Sequence, residues 1–200
     1  IRLSLVGSEM CIRDRLERAR DPKGNEITIS ITGPEGEIHA FVWRVRLGRT
    51  PLFLLDTNLP ENTPEGREIT ARLYVADPKI RLAQEMLLGI GGMRALAAMD
   101  LFPSVCHMNE GHSAFSALER LALLMERYRI DLETALQIVP RCTVFTTHTP
   151  VAAGHDIFSI NLVRPWIQPL KDRLKTDEEE ILSWGQTGGF NKDEPFLPCI

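Results

Sequence analysis

The sequence has no CxxC pair, no apolar run long enough to cross a bilayer and no surplus of Lys and Arg. Each absence removes a class of function. The four cysteines, Cys11, Cys106, Cys142 and Cys199, are scattered through 200 residues, a pattern that fits a reducing cytoplasm better than a disulfide scaffold. Without a long apolar run there is no membrane span to place. Lys and Arg number 23 against 27 Asp and Glu, for a net charge of -4, which argues against a nucleic-acid or anionic-membrane partner. Aromatic residues make up only 6%, and Trp43, Trp166 and Trp184 are far apart, so no stripe for stacking sugar rings is visible. No internal repeat and no low-complexity segment is found. What remains is ordinary for a soluble globular protein, 44% hydrophobic and 25% charged, in a chain long enough for one domain with a core.

Both ends read as atypical. Residues 1–15 lack an initiator Met and the apolar core of a secretory signal. The run LSLVGSEMCIRDR looks like translated sequencing-adapter readthrough, so 1–15 is expected to be a non-native leader and 16–200 an incomplete lobe of a larger protein. The other end, EPFLPCI, stops in an apolar stretch, where a natural domain seldom ends.

Between the ends, two grammars succeed one another. Glu26 to Thr32 alternates, with Ile27, Ile29 and Ile31 on one face, as a half-buried strand does. A Gly33-Pro34-Glu35-Gly36 turn, a strand over Ile38 to Leu47, a second turn at Gly48 to Thr50 and a strand over Pro51 to Leu55 predict an antiparallel meander. Leu59 to Glu68 is polar, holds Pro60, Pro64 and Gly66, and reads as a loop. Asp77 is placed to cap a helix with Pro78 at its first position, and Ile80, Ala83, Leu87 and Ile90 make its apolar stripe to about Met99. From there strand and helix alternate: strand Ser104 to Met108, helix His112 to Tyr128 with Phe115, Leu118, Leu121 and Met125 inward, helix Asp131 to Ile138, strand Cys142 to Thr146. That is the pattern of a parallel sheet covered by helices. Asn161 to Gly189 reads as helical but interrupted by Pro165, Pro169 and several glycines.

Two polar clusters fall just past the C-terminal ends of the predicted parallel strands, where open α/β sheets bind ligands. The first is His107-Met108-Asn109-Glu110-Gly111-His112-Ser113. Its donors and acceptors suit a polyhydroxylated ligand, whose hydroxyls both give and take hydrogen bonds, and Gly111 is the residue expected to let the backbone turn. The plainer reading is an Asn/Ser helix cap beside a surface carboxylate. The second is Thr146-Thr147-His148-Thr149-Pro150, with Gly154-His155-Asp156 after it. Pro150 holds Thr149 extended, which leaves the His148 ring and carbonyl free to face a cleft. The plainer reading is a histidine satisfied by local backbone with threonines as turn formers.

Two other chemistries are weighed and set aside. His107, Glu110 and His112 echo the HExxH and HxxEH zinc motifs, but the spacing differs and Gly111 interrupts the helix that would aim both rings at one ion. The run Gly89-Ile90-Gly91-Gly92 lies inside a helical stripe and lacks the preceding strand of a phosphate loop. Glycines there more often permit close packing against a neighbour.

Taken together, VWRVRLGRTPLFLLDTN, ITARLY, IRLAQEMLLGIGGMRALAAM, CHMNEGHSAFSALER and VFTTHTPVAAGHDIF resemble the bacterial and archaeal short-type α-glucan (glycogen or maltodextrin) phosphorylases. The stretches occur in that family's order from about Leu16 onward, and the HMNEGHSAF and TTHTPVAAGHD pair is the most specific part. The resemblance implies an α/β fold, a partial Rossmann-like N-terminal lobe of a two-lobe (GT-B-type) glycosyltransferase. It implies cleavage of a terminal α-1,4-linked glucose by inorganic phosphate to glucose 1-phosphate, with retention of configuration. It implies pyridoxal phosphate as cofactor, held by a lysine in the other lobe and acting through its phosphate group, and a homo-oligomer in the parent.

Position by position, the resemblance puts Asn109, Glu110 and His112 in the loop beside the sugar, with Glu110 where some family members have Asp. His148 matches the histidine that meets the glucosyl residue through its side chain and its carbonyl, and Thr149 helps shape the same wall. His155 and Asp156 are expected to be structural. The family's glycine-rich loop, cofactor lysine, phosphate-binding Arg and Lys and second lobe are not matched by any segment of this chain, so the chain alone is expected to be inactive and to bind no cofactor. Two other readings stand beside this one: a sugar-nucleotide-dependent glucan synthase on the same two-lobe fold, and a non-catalytic glucan-binding domain.

Overall fold

The computed structural model describes residues 16–73, 75–149 and 156–198. The expected leader 1–15, residues Pro150 to His155, Cys11 and Cys199 lie outside the described residues.

The chain opens with strands β1 (Leu16–Arg18), β2 (Thr28–Gly33), β3 (Gly36–Leu47) and β4 (Thr50–Asp56). All pairings are antiparallel and all run through β3. β2, β3 and β4 form the expected meander. β1 has no counterpart in the sequence pattern: three residues carry no periodicity, and only its register on β3, Leu16 opposite Val45 to Arg18 opposite Trp43, makes it a strand. The Gly33–Gly36 pair closes the first hairpin, and Gly36 takes a φ of 121° that only glycine adopts freely. Alternation buries Ile27, Ile29, Ile31, Ala40 and Val42 on one face.

Against that face lies a helix running through 78–98. It is built from α2 (Pro78–Met86), a π-helical turn (Leu87–Gly91) and α3 (Gly92–Ala98), and comes after α1 (Pro64–Glu68). Asp77 caps α2 by accepting from the Lys79 N–H at 2.8 Å. Leu82, Ala83, Met86, Leu87 and Ile90 are buried. The π turn is a departure from the regular helix expected over this stretch. It falls on the glycines, and Gly89 shows why they are there: a Cβ would stand 2.6 Å from the Ser116 nitrogen and 2.8 Å from the Phe115 carbonyl carbon. Gly89 admits a neighbouring backbone, as the close-packing reading supposed, whereas a Cβ at Gly91 would meet only the side chains of Ile29, Leu87 and Leu55. The segment Leu59 to Glu68, expected as a loop, contains α1, because Thr63 Oγ1 accepts from the Gly66 N–H and Pro64 sits at the first helical position.

The second half supplies β5 (Cys106–Asn109), α4 (Ser116–Tyr128), α5 (Leu132–Ile138) and β6 (Thr143–Thr146). β5 and β6 are parallel, in register from Cys106 opposite Thr143 to Asn109 opposite Thr146. The βαβ grammar therefore holds. The helix expected from His112 starts instead at Ser116, after a 3-10 turn over Gly111–Ser113. Phe115, Leu118, Leu121 and Met125 are all buried. Arg120 of α4 bonds the Thr143 hydroxyl at 2.5 Å and the Cys142 carbonyl at 3.1 Å, fastening helix to strand.

Glu119, 1% exposed, takes ion pairs from Arg94 at 3.2 Å and Arg173 at 2.7 Å. α6 (Ile160–Ile167), α7 (Lys171–Leu174) and α8 (Glu178–Ser183) come next, the interrupted helical stretch expected there. The core joins strands and helices in one cluster, with Phe115 stacked on Phe196 at 5.7 Å. No helix among the described residues is long and apolar enough to cross a membrane.

Candidate functional site

β5 and β6 end side by side, and the loop after one strand touches the loop after the other. In β5 exposure alternates, with His107 and Asn109 outward and Cys106 and Met108 half-buried. Met108 is held on the helix side, where the Ser116 hydroxyl donates to its Sδ at 3.7 Å. On the other face His107 Nε2 is 2.6 Å from Thr146 Oγ1, and His148 Nε2 is 2.9 Å from Asn109 Oδ1. With Asn109 Oδ1 accepting, His148 donates from Nε2. Its ring is therefore engaged by Asn109, not left free at the strand end as the chain pattern had it. Asn109 Nδ2 and His148 Nδ1 have no partner among the described residues.

Glu110 organises the junction. Its N–H donates to the Thr146 carbonyl at 2.8 Å, extending the ladder by one bond. Its carboxylate accepts from the His148 N–H at 2.5 Å, the Thr149 hydroxyl at 3.3 Å and the Thr147 hydroxyl at 3.2 Å. The carboxylate is buried, which corrects the surface-carboxylate reading. The helix-cap reading is corrected too: no side chain caps the 3-10 turn or α4. The His148 N–H, with the two hydroxyls, holds the Glu110 carboxyl below its ordinary range against the opposing effect of burial. The tight turn also falls on Glu110 and not on Gly111. Glu110 has φ 61° and ψ -176°, a region normally left to glycine that costs about 1–3 kcal/mol.

His112 turns elsewhere. Its Nδ1 is 2.6 Å from Arg81 Nη2, so it accepts and the ring proton sits on Nε2. Arg81 also pairs with Asp156 at 2.9 Å and Glu85 at 3.3 Å. Glu85, His112 and Asp156 offer ligand atoms within 4.8 Å of one another, which is the spacing of a metal site. The Arg81 guanidinium stands within reach of all three, so a divalent ion would have to displace a cation already present. Burial first, then the neighbouring Asp156 carboxylate, pushes Glu85 up to about 9, with Arg81 opposing. Burial works against ionised Asp156, yet the neighbouring Glu85 and Arg81 hold it below its ordinary value. Glu85, whose carboxyl oxygens are buried without a hydrogen bond, is thus the protonated acid of the cluster, and Asp156, paired with Arg81, the anion. A cavity of about 460 Å³ opens beside Arg81 and Asp156, walled by Val75, Pro78, Ile157 and Phe158.

Of the residues expected at a site, Asn109, Glu110, His148 and Thr149 are brought together, while His112 joins the Arg81 cluster. His107, Glu110 and His112 point to three different partners, so the zinc-like echo has no geometric counterpart. Two residues were given no role at the sugar site by the sequence: His107, named only in the first cluster and the zinc-like echo, and Arg81. His107 lies two positions before Asn109, and a period of two puts both on one face. Arg81 carries no local signal, being 75 residues from Asp156.

Over 166 residues the chain is 43% identical to the maltodextrin phosphorylase of Thermococcus litoralis, covering 83% of this chain and 20% of that protein. It is 41% identical over 153 residues to the glycogen phosphorylase of Mycobacterium tuberculosis, 74% of this chain and 18% of that protein. It is 30% identical over 181 residues to the glycogen phosphorylase of Aquifex aeolicus, 88% and 26% respectively.

The chain belongs to the glycogen/maltodextrin phosphorylase family.

No protein-family model matches the chain. It spans between 18% and 26% of the length of these phosphorylases. The fold that carries the shared sequence is mixed α/β, an antiparallel sheet beside a parallel one.

Proposed function

We propose that this chain forms part of the glucose-binding wall of an α-glucan phosphorylase, contributed by a Rossmann-like N-terminal lobe of the GT-B type spanning 16–200. In the full-length parent the reaction is phosphorolysis of a terminal α-1,4-linked glucose to glucose 1-phosphate. The substrates are an α-1,4-glucan and inorganic phosphate.

The observation that carries this reading is the 2.9 Å contact between Asn109 Oδ1 and His148 Nε2. It brings the two most specific sequence motifs to one exposed surface at the ends of the parallel strands, in a chain 43% identical to a maltodextrin phosphorylase. The pair offers an amide donor and a ring nitrogen to sugar hydroxyls. The His148 carbonyl suits a second task, because the glucosyl ring gains positive charge as its bond to the leaving oxygen breaks. An oriented carbonyl stabilises such an oxocarbenium-like state best where water is excluded. Thr149 shapes the same wall, and His112, tied to Arg81, sets the edge of the loop.

Pyridoxal phosphate is part of this proposal only for the parent. Bound, it supplies a phosphate group as proton relay. The residues here do not fit it as a covalent cofactor. An imine needs a lysine amine, and neither strand end nor the loops after them, 106–115 and 143–159, carry one. What this chain does is bind and orient.

The test is glucose 1-phosphate release by the full-length parent carrying Asn109→Ala or His148→Ala. Turnover at the unaltered level in both variants would remove the assignment.

A further inference from the structure

Three consecutive residues of the loop after β6 surrender a donor to one side chain: the Thr147 hydroxyl, the His148 N–H and the Thr149 hydroxyl all go to Glu110. A carboxylate has about four acceptor positions, so little of it is left for anything else. The residue is buried, while Asn109 and His148 on either side of the contact are exposed. The chain also tolerates a φ of 61° at a residue with a Cβ to put the carboxylate there. Strain of that kind persists where the surroundings hold it in place.

We propose that Glu110 is a positioning residue: its carboxylate clamps 147–149 so that the His148 ring and carbonyl stay beside Asn109. It does not itself touch the sugar, and it acts only through His148. The proposal rests on the phosphorylase reading of the site.

The physical reason for a carboxylate is the donor count. An amide at this position carries no charge and has one acceptor oxygen, so the bonds to 147–149 lose their charge assistance and one of the three partners must face an NH2 group instead of an acceptor. An aspartate keeps the charge and both oxygens but loses one methylene of reach. A released loop moves a carbonyl whose value lies in the transition state, and misplacement on the scale of an ångström costs turnover more than ground-state binding.

The experiment is steady-state kinetics on the full-length parent with E110Q and E110D, H148A being measured alongside. The expected result for E110Q is a fall in kcat of about 10- to 100-fold with the KM for maltodextrin within about twofold. E110D should fall between E110Q and the unaltered protein. Should E110Q fail to fold, T147V deletes a single donor on an exposed residue and reads the same split, kcat down and KM steady.

A raised KM with unchanged kcat in E110Q would make Glu110 a direct sugar ligand, and in T147V would make Thr147 one; either overturns the clamp. Unaltered kinetics in E110Q with a crippled H148A would overturn the clamp and leave the site reading standing. Full activity in H148A would sink the site reading and the clamp with it.

Discussion

Asn109 Oδ1 and His148 Nε2 lie 2.9 Å apart although 39 residues separate them, because β5 and β6 run parallel and end level, Asn109 opposite Thr146. The contact is made by exposed side chains, so it contributes little to folding and is available to a ligand.

That exposure predicts a separation of function from stability. Asn109→Ala and His148→Ala should each lower glucose 1-phosphate production by the full-length parent while changing unfolding free energy by less than about 1 kcal/mol, the value of one solvated hydrogen bond. A double-mutant cycle on kcat/KM should show strong non-additivity if, as proposed, the two groups act on one sugar. Additive losses, or an unfolded H148A protein by circular dichroism, would count against the pair as a unit.

The Glu85–Asp156 pair predicts a pH dependence of stability. Glu85 is raised from 4.5 to about 9 in the folded protein. Between those values the folded state keeps a proton that the unfolded state has lost, so stability declines as pH rises through that window. Urea unfolding midpoints from about pH 5 to about pH 9, the span between the two pKa values, should fall for the unaltered protein. In Glu85→Gln the slope should flatten. A midpoint that rises with pH, or an unchanged slope in the variant, would contradict a buried, protonated Glu85.

Gly89 and Gly92 differ by three positions and should respond oppositely to alanine. At Gly89 the new Cβ meets the α4 backbone at 2.6 Å, and backbone cannot yield as a side-chain tip can. Gly89→Ala should cost about 1–3 kcal/mol. At Gly92 nothing lies within 4 Å, and Gly92→Ala should stabilise the helix by about 0.4–1 kcal/mol. Denaturant titration of both variants checks the pair; equal effects would mean that the π turn does not pack as described.

The chain by itself should show no absorbance from bound pyridoxal phosphate and release no glucose 1-phosphate from maltodextrin and phosphate. A cofactor spectrum or product in either assay would refute the reading of this segment as one wall of a larger active site.

Much of this architecture was legible along the chain. Alternation at Ile27, Ile29 and Ile31 and the Gly33–Gly36 turn placed the first hairpin, and the Asp77-Pro78 pair placed the start of α2. These signals are local: side-chain period, turn chemistry and cap hydrogen bonds act over a few residues. The apolar stripe of α4 was readable for the same reason, though its start was not, because the 3-10 turn at Gly111–Ser113 is imposed by Glu110 reaching across to the next strand. The π turn was equally hidden, since its cause is the backbone of Phe115 and Ser116 pressed on Gly89.

The sequence by itself determined the type and order of the strongly periodic strands and helices and the two motifs that hold the candidate site residues, because periodicity and motif spacing are written in neighbouring positions. Only the tertiary structure decided which residues share a surface. It joined Asn109 to His148, turned Glu110 inward to hold the second loop, and drew His112 away to Arg81, whose partners lie on segments up to 75 residues distant. Parallel strand register and helix packing bring such residues together, and neither leaves a mark on the residues nearby in the chain.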